Sequence, residues 1–374
     1  DCRACSAVCP SGVQYGTLVE TARALIEHAH APKRGFFSRL GRWFTLKALF
    51  GNLELMRFAA TLLRFYQRSG LQRVVRATGI LRLLHLDETE AFAPHISKRY
   101  FVPRDQVFEA RDAHVRVMLH AGCVMHVAFA EVNEATVRVL TRNRSTVVVP
   151  SGQGCCGAIA VHAGEPEFAE TLAKRNIAAF EESGADYYII NAAGCGSALK
   201  EYGELLSGDP RWSDRAERFS ARVRDVLEFL DQLEIDPRLG PLDETVTYQE
   251  PCHLVHAQRI AAAPRRLLAR IPGLQLREMN ESSVCCGSAG IYNLTEPAMS
   301  KRLRDRKTAN IMETAAQVVA TANPGCAMQV AAGLKQAGGN ARVRHVVELL
   351  DEAYRNYSDG TRRSRSSSAA SVEG

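Results

Sequence analysis

The pattern Cys123, Cys155-Cys156-Gly157, Cys195 recurs about 130 residues later as Cys252, Cys285-Cys286-Gly287, Cys326, so eight of the eleven cysteines fall in two matched sets. Two adjacent thiols can face one inorganic centre only where the backbone folds tightly around it. The glycine that follows supplies that freedom: lacking a Cβ, it adopts φ > 0 and lets a ligand approach the main chain closely. The outlying cysteines also follow glycine, in Ala193-Gly194-Cys195 and Pro324-Gly325-Cys326. Thiols spaced this way read as metal ligands in preference to structural cysteines or disulfides.

The chain has 374 residues, 46% of them hydrophobic, enough for two ordinary domains with cores of their own. Its start has no apolar segment or cleavage site, and eleven cysteines in so long a chain do not resemble a secreted disulfide scaffold. The expected location is the reducing cytoplasm, with peripheral attachment to the inner membrane as the only membrane role considered. No transmembrane segment is expected, because even the apolar stretch from Phe36 to Tyr66 is broken by Arg39, Arg42, Lys47, Glu54, Arg57 and Arg64.

Cys2-Arg3-Ala4-Cys5-Ser6-Ala7-Val8-Cys9-Pro10 is the latter part of C-x2-C-x2-C-x3-C-P, the run with which bacterial ferredoxins hold 4Fe–4S clusters. Its first cysteine would precede Asp1, so the chain reads as a fragment. In a two-cluster arrangement Cys2 and Cys5 would share one cluster and Cys9 would serve the other. The alternative is a zinc knuckle completed by His28 and His30; the x3-C-P ending favours clusters.

A helix is predicted over Leu18–His30. From Lys33 to Arg82 there are eleven Lys or Arg and one acid, Glu54, in a chain whose net charge is only +6. Apolar residues recur through this basic segment at helical intervals. A linker packed on its own domain or a docking surface for a partner fits better than a membrane-surface helix. Nucleic acid is not expected, since no recognition fold accompanies the charge.

Strands are predicted at Val115–Leu119, Thr146–Val149, Tyr187–Asn191, Val246–Tyr248 and Val318–Thr321, with helices such as Phe168–Ser183 and Met299–Thr314 between them. This alternation implies α/β architecture with βαβ units and mostly parallel sheets. Each cysteine lies just past a strand, where open α/β sheets collect functional residues. The helices match as the cysteines do: Glu165-Pro166 parallels Glu296-Pro297, Leu172 parallels Leu303 and Arg175 parallels Arg306. The expected organisation is the end of a ferredoxin-type domain (1–31), a basic helical connector (32–112), a first cysteine-rich repeat (113–243), a second (244–357) and a disordered Ser/Arg-rich tail (358–374).

Together, Cys9-Pro10-Ser11-Gly12-Val13, the basic connector, Ala193-Gly194-Cys195-Gly196 with Lys200-Glu201-Tyr202-Gly203, and Cys285-Cys286-Gly287-Ser288-Ala289-Gly290 resemble the iron–sulfur subunit of glycolate oxidase. The repeats alone are also similar to those of the cysteine-rich subunit of heterodisulfide reductase, of lactate-utilisation proteins and of anaerobic glycerol-3-phosphate dehydrogenase. The resemblance implies an electron relay. Flavoprotein subunits would oxidise glycolate to glyoxylate, and this chain would pass the electrons towards a quinone or other carrier. FAD is not expected here, as no Gly-rich dinucleotide fingerprint is present.

In that reading Cys2, Cys5 and Cys9 serve two ferredoxin-type clusters, while Cys123, Cys155, Cys156, Cys195 and Cys252, Cys285, Cys286, Cys326 each hold one 4Fe–4S cluster or a zinc ion. Backbone N–H groups of Gly157, Gly194, Gly287 and Gly325 would help to set the potentials. Heterodisulfide-type repeats end in C-x2-C, but Ala198 and Gln329 stand at the second position here. That argues against a five-thiolate, disulfide-reducing centre. A disulfide-reducing subunit and a zinc-stabilised scaffold remain the alternatives. His126, His162, His253 and His256 read first as surface or core residues, with a ligand role secondary.

Overall fold

Parallel strands buried on both faces need apolar side chains at nearly every position, and three runs in the first repeat meet that demand. A computed structural model describes residues 1–30, 33–84, 90 and 93–370, with side chains as far as residue 358. In it β1 (Gln106–Phe108), β2 (Val115–Leu119), β3 (Ser145–Val149), β4 (Tyr187–Ile190) and β5 (Val223–Asp225) form a sheet in the order β1-β3-β2-β4-β5. Only β1 is antiparallel to its neighbour. Val117, Met118, Leu119, Val147, Val149, Tyr188, Ile189 and Ile190 are fully buried in its core.

The second repeat forms a four-stranded, wholly parallel sheet from β6 (Thr245–Tyr248), β7 (Gln275–Leu276), β8 (Val318–Thr321) and β9 (Arg342–His345), in the order β7-β6-β8-β9. This is the order β3-β2-β4-β5 of the first sheet, so the duplication read from the cysteines extends to topology. The expected mixed α/β class with parallel sheets is present. The helices paired in sequence span Pro166–Ser183 and Pro297–Glu313; each starts at the proline, whose fixed φ suits the first helical position.

The helix Tyr15–His30 begins three residues before the predicted start. The connector is helical over Phe36–Arg42, Leu53–Arg68, Leu71–Ala77 and Ile80–Leu83, with a π-helical turn at Trp43–Leu49. Asn52 caps the Leu53–Arg68 helix by accepting from the N–H groups of Glu54 and Leu55 (2.9 and 3.2 Å). One face of this helix buries Leu53, Met56 and Ala60 against the body, while Phe58, Leu62 and Phe65 are exposed. Among the described residues no helix is long and apolar enough to cross a membrane.

The final helix, Val346–Ala370, carries helical backbone through most of the tail that composition marks as disordered. Extending a helix already nucleated on packed residues costs little, and no proline interrupts it. The last four residues, 371–374, lie outside the described residues. The same helix joins the repeats, as Asp351 accepts two hydrogen bonds from Arg138 at 2.9 Å and Asn143 donates to Tyr354 Oη at 3.1 Å.

His345 sits at this junction. Its Nε2–H donates to the Asn191 carbonyl of the first repeat (3.1 Å), and its Nδ1 accepts from the Val347 N–H (3.0 Å). The second bond requires the neutral ring, because a protonated Nδ1 cannot accept. Burial pushes its pKa down to about 4 from the ordinary 6.5. Between these values the unfolded chain takes up a proton that the native state refuses, so stability present above pH 6.5 is lost as pH falls towards 4. The loss approaches roughly 3 kcal/mol at about 1.4 kcal/mol per pKa unit. Chemical denaturation from pH 7 to 4 should show this slope, and His345→Gln should flatten it; an unchanged slope would show that another group controls acid stability.

Candidate metal centre

Cys123 follows β2, Cys155 and Cys156 follow β3, and Cys195 is the third residue of the helix Ala193–Lys200 after β4. Because β3, β2 and β4 are adjacent and parallel, their carboxyl ends deliver all four thiols to one place. The second repeat repeats this with Cys252 after β6, Cys285 and Cys286 after β7, and Cys326 as the third residue of Pro324–Gln336 after β8. Seven of these eight cysteines are buried, and all are free thiols.

Within each set the thiols touch in the same sequence. Cys123 Sγ lies 3.5 Å from Cys155 Sγ, Cys155 meets Cys156, and Cys156 meets Cys195. Cys252 meets Cys285, Cys285 meets Cys286, and Cys286 meets Cys326. These hydrogen bonds split the acidities. Cys155 and Cys285 are held well below the ordinary thiol range by their two thiol neighbours, while Cys123, Cys156, Cys252 and Cys286 are pushed up. Cys195 falls to about 6, chiefly through its hydrogen bond with Cys156 and then through His120.

A soft, cationic centre suits such a donor set. Among the described residues the only three His, Cys, Asp or Glu ligand atoms mutually within 4.8 Å are those of Asp1, Glu20 and His162. Each set is thus a chain of pairwise thiol contacts. Nor do Cys2, Cys5 or Cys9 form such a group with His28 or His30.

The surroundings also fit an anionic group. Lys307 is 2% exposed, yet its ammonium donates only to the carbonyls of Glu281 and Ser282 (2.6 and 3.0 Å) among the described residues. Burial lowers its pKa, and the thiols of Cys286, Cys326 and Cys285 oppose that shift. In the first repeat His120 is fully buried, with Nδ1 2.7 Å from Tyr188 Oη. Its Nε2 has no hydrogen-bond partner and lies by the Cys195 thiol. Sequence reasoning missed both residues. His120 stands three residues before Cys123, but Gln249 takes that place before Cys252 and bonds instead with Thr321 (2.7 Å), so the two copies do not agree there.

Gly157 and Gly287 behave as expected, with φ of +82° and +93°. The Gly287 N–H donates to Cys285 Sγ at 3.4 Å, and the Gly157 N–H to the Cys155 thiol. Gly194 differs: its N–H donates to Asn323 Oδ1 of the other repeat (3.0 Å), since the two cysteine-bearing helices begin against one another, and it is not free to face a cluster. Gly325 lies close to the Ser288 hydroxyl, which a Cβ would approach to 2.7 Å. Gln329 donates to Ser300 Oγ (3.0 Å), and Ser300 to the Gly287 carbonyl (2.8 Å), so it fixes the Cys-Cys-Gly loop.

None of the four histidines joins a thiol set as a ligand neighbour of several sulfurs. His126 Nδ1 bonds to the Gly122 carbonyl (2.8 Å) and His256 Nε2 to the Ser283 carbonyl (3.1 Å). His253 Nδ1 approaches Cys252 Sγ at 3.8 Å, while its ring lies tilted by 37° against that of His162, with centroids 5.8 Å apart. Arg175 and Arg306 hold loops, through the Gly152 carbonyl (2.7 Å) and Glu281 (2.7 Å). Cys5 lies within the short helix Ala4–Val8, with Cys2 and Cys9 on either side; the helix rests against the turn His253–Ala257, and Arg3 ties it down through Glu20 (2.9 Å) and Glu201 (3.1 Å).

A Cβ at residue 287 would lie 2.4 Å from the Ser300 carbonyl oxygen, whereas one at 157 would meet Ala169 at 3.3 Å. Left-handed backbone alone costs a non-glycine residue roughly 1–2 kcal/mol. Gly287→Ala should therefore be the more destabilising, with loss of metal from the second set, and Gly157→Ala should remain near that backbone cost. Thermal unfolding with metal analysis gives the ranking.

Comparison with known proteins agrees with this geometry. A model of a cysteine-rich domain matches residues 117–200 and 246–331, and one of the glycolate oxidase iron–sulfur subunit linker region matches residues 37–93. The chain is 41% identical over 360 residues to a probable glycolate oxidase iron–sulfur subunit of Bacillus subtilis, covering 94% of this chain and 81% of that one. It is 30% identical over 356 residues to the glycolate oxidase iron–sulfur subunit of Escherichia coli, covering 94% and 80%. Lactate utilization protein A of Geobacillus kaustophilus is 31% identical over 238 residues, covering 63% and 99%. A shared connector, two shared cysteine-rich domains and this extent of identity mean that the chain belongs to the glycolate oxidase iron–sulfur subunit family.

Proposed function

We propose that this chain is the electron-transfer subunit of a glycolate oxidase complex. The observation that carries the reading is the pair of buried four-thiol sets, each at the carboxyl end of a parallel sheet and each with a polar group suited to an anionic centre. Flavoprotein subunits oxidise glycolate to glyoxylate, a two-electron step, and this chain conducts the electrons onward. A 4Fe–4S cluster bound to each set supplies one-electron transfer. The thiols hold it, the N–H groups of Gly157 and Gly287 and the His120 ring stabilise negative charge on sulfur, and Lys307 offsets charge in the second site.

Cys2, Cys5 and Cys9 serve ferredoxin-type clusters in this reading. Their position against the turn that follows Cys252 puts them next to the second site. We place the chain in the cytoplasm, where free thiols persist. Residues 113–243 and 244–357 are proposed as the domain units.

Anaerobically purified protein should contain about four iron and four acid-labile sulfide per occupied set; stoichiometric zinc with no reducible EPR signal would overturn the relay. Cys286→Ser should reduce glycolate-dependent dye reduction at least about 10-fold, in line with losses seen on disturbing a metal site. Lys307→Gln should lower the midpoint potential of one centre and leave the others in place, as read by EPR redox titration. Equal shifts in every centre, or none, would remove Lys307 from that role.

A further inference from the structure

Between the first thiol set and the helix Tyr15–His30 lies a cavity of about 410 Å³, a volume typical of small-ligand sites. Cys156 opens onto it; no thiol of the second set does. Val161, Ala198 and Leu205 give it an apolar wall, and Ala198 stands where a further thiol would otherwise fill the space. Arg3 and the neighbouring, mutually tilted rings of His162 and His253 also line it. His253 and Arg3 are 6% and 9% exposed, and His253 Nε2 and Arg3 Nε are buried with no hydrogen-bond partner. Buried polar atoms normally have partners, so two orphans at one cavity mark a place for a ligand with acceptor oxygens.

The charge distribution restricts that ligand. Glu20, Glu201 and Glu204 line the cavity, and its single guanidinium is already paired with the first two. An anionic hydroxy acid would meet net repulsion here, whereas a neutral, flat molecule with carbonyl oxygens fits. His162 Nδ1 lies 3.1 Å from Glu20 Oε1 and 3.2 Å from Asp1 Oδ2, and Glu204, also at the cavity, is exposed to water.

We propose that this cavity binds the ring of a quinone and is the point at which electrons leave the chain. The inference rests on the relay reading above. The quinone gains two electrons, delivered singly from the relay, and two protons; each carbonyl becomes a hydroxyl, two O–H bonds form, and nothing is released. His253 Nε2 and Arg3 Nε hold the carbonyl oxygens, Val161, Ala198 and Leu205 pack on the ring, and the His162–Glu20 pair supplies protons that solvent replaces.

The test uses the complete protein assembled with its partner subunits. An azido-benzoquinone irradiated with the unaltered complex should attach to peptides 156–166 or 197–207, with excess 6-decyl-2,3-dimethoxy-5-methyl-benzoquinone preventing it. Adducts confined to other peptides, or none, overturn the assignment. Equilibrium binding of the decyl quinone should weaken at least 10-fold in Val161→Phe and in Leu205→Trp, and unaltered affinity in both overturns it as well. If a variant fails to fold, labelling of the unaltered complex decides alone. Glycolate-dependent dye reduction by the unaltered complex tests the relay separately: with dye reduction but no quinone labelling, only the cavity assignment falls; with labelling but no dye reduction, the relay falls.

Discussion

Four thiols in contact inside a protein cannot all ionise without a compensating cation, and each repeat of this chain is organised around that constraint. Adjacent parallel strands bring the thiols together, because β2, β3 and β4, like β6, β7 and β8, end at the same level. Within a set the thiols share protons and divide into low and high acidities. Metal binding to such a set is coupled to proton release and to the integrity of the sheet that presents it.

The duplication preserved the frame and changed its lining. His120 in one copy corresponds to Gln249 in the other, Asn176 is matched by Lys307, and Ala198 by Gln329. Asn176 ties the Cys-Cys loop through the Gly154 N–H and Cys155 carbonyl (2.9 Å each), while Lys307 brings a buried charge to the second site. Gln329 fills the second site, and Ala198 leaves room in the first. Two equal thiol sets therefore sit in unlike electrostatic surroundings.

Much of this was legible in the sequence, though unevenly. Strands such as Val115–Leu119 and Val318–Thr321 are apolar along most of their length because both faces are largely covered, and their bounds could be read directly. The edge strands β1, β5, β7 and β9 could not, being two to four residues long with polar residues among the apolar ones. The connector's helical period was visible, but not which apolar residues it buries. Met56 and Phe58 belong to the same helix and face opposite environments.

The sequence by itself determined the pairing of the two thiol sets and the glycines that let each Cys-Cys loop turn, because these depend on local spacing and on backbone freedom at one residue. Only the tertiary structure decided what surrounds the thiols. Gly194 gives its N–H to Asn323 across 129 positions, and His253 of one repeat closes a cavity beside Cys156 of the other. Such contacts join residues far apart in the chain, and no local pattern encodes them; they arise when two sheets and an N-terminal helix pack against each other.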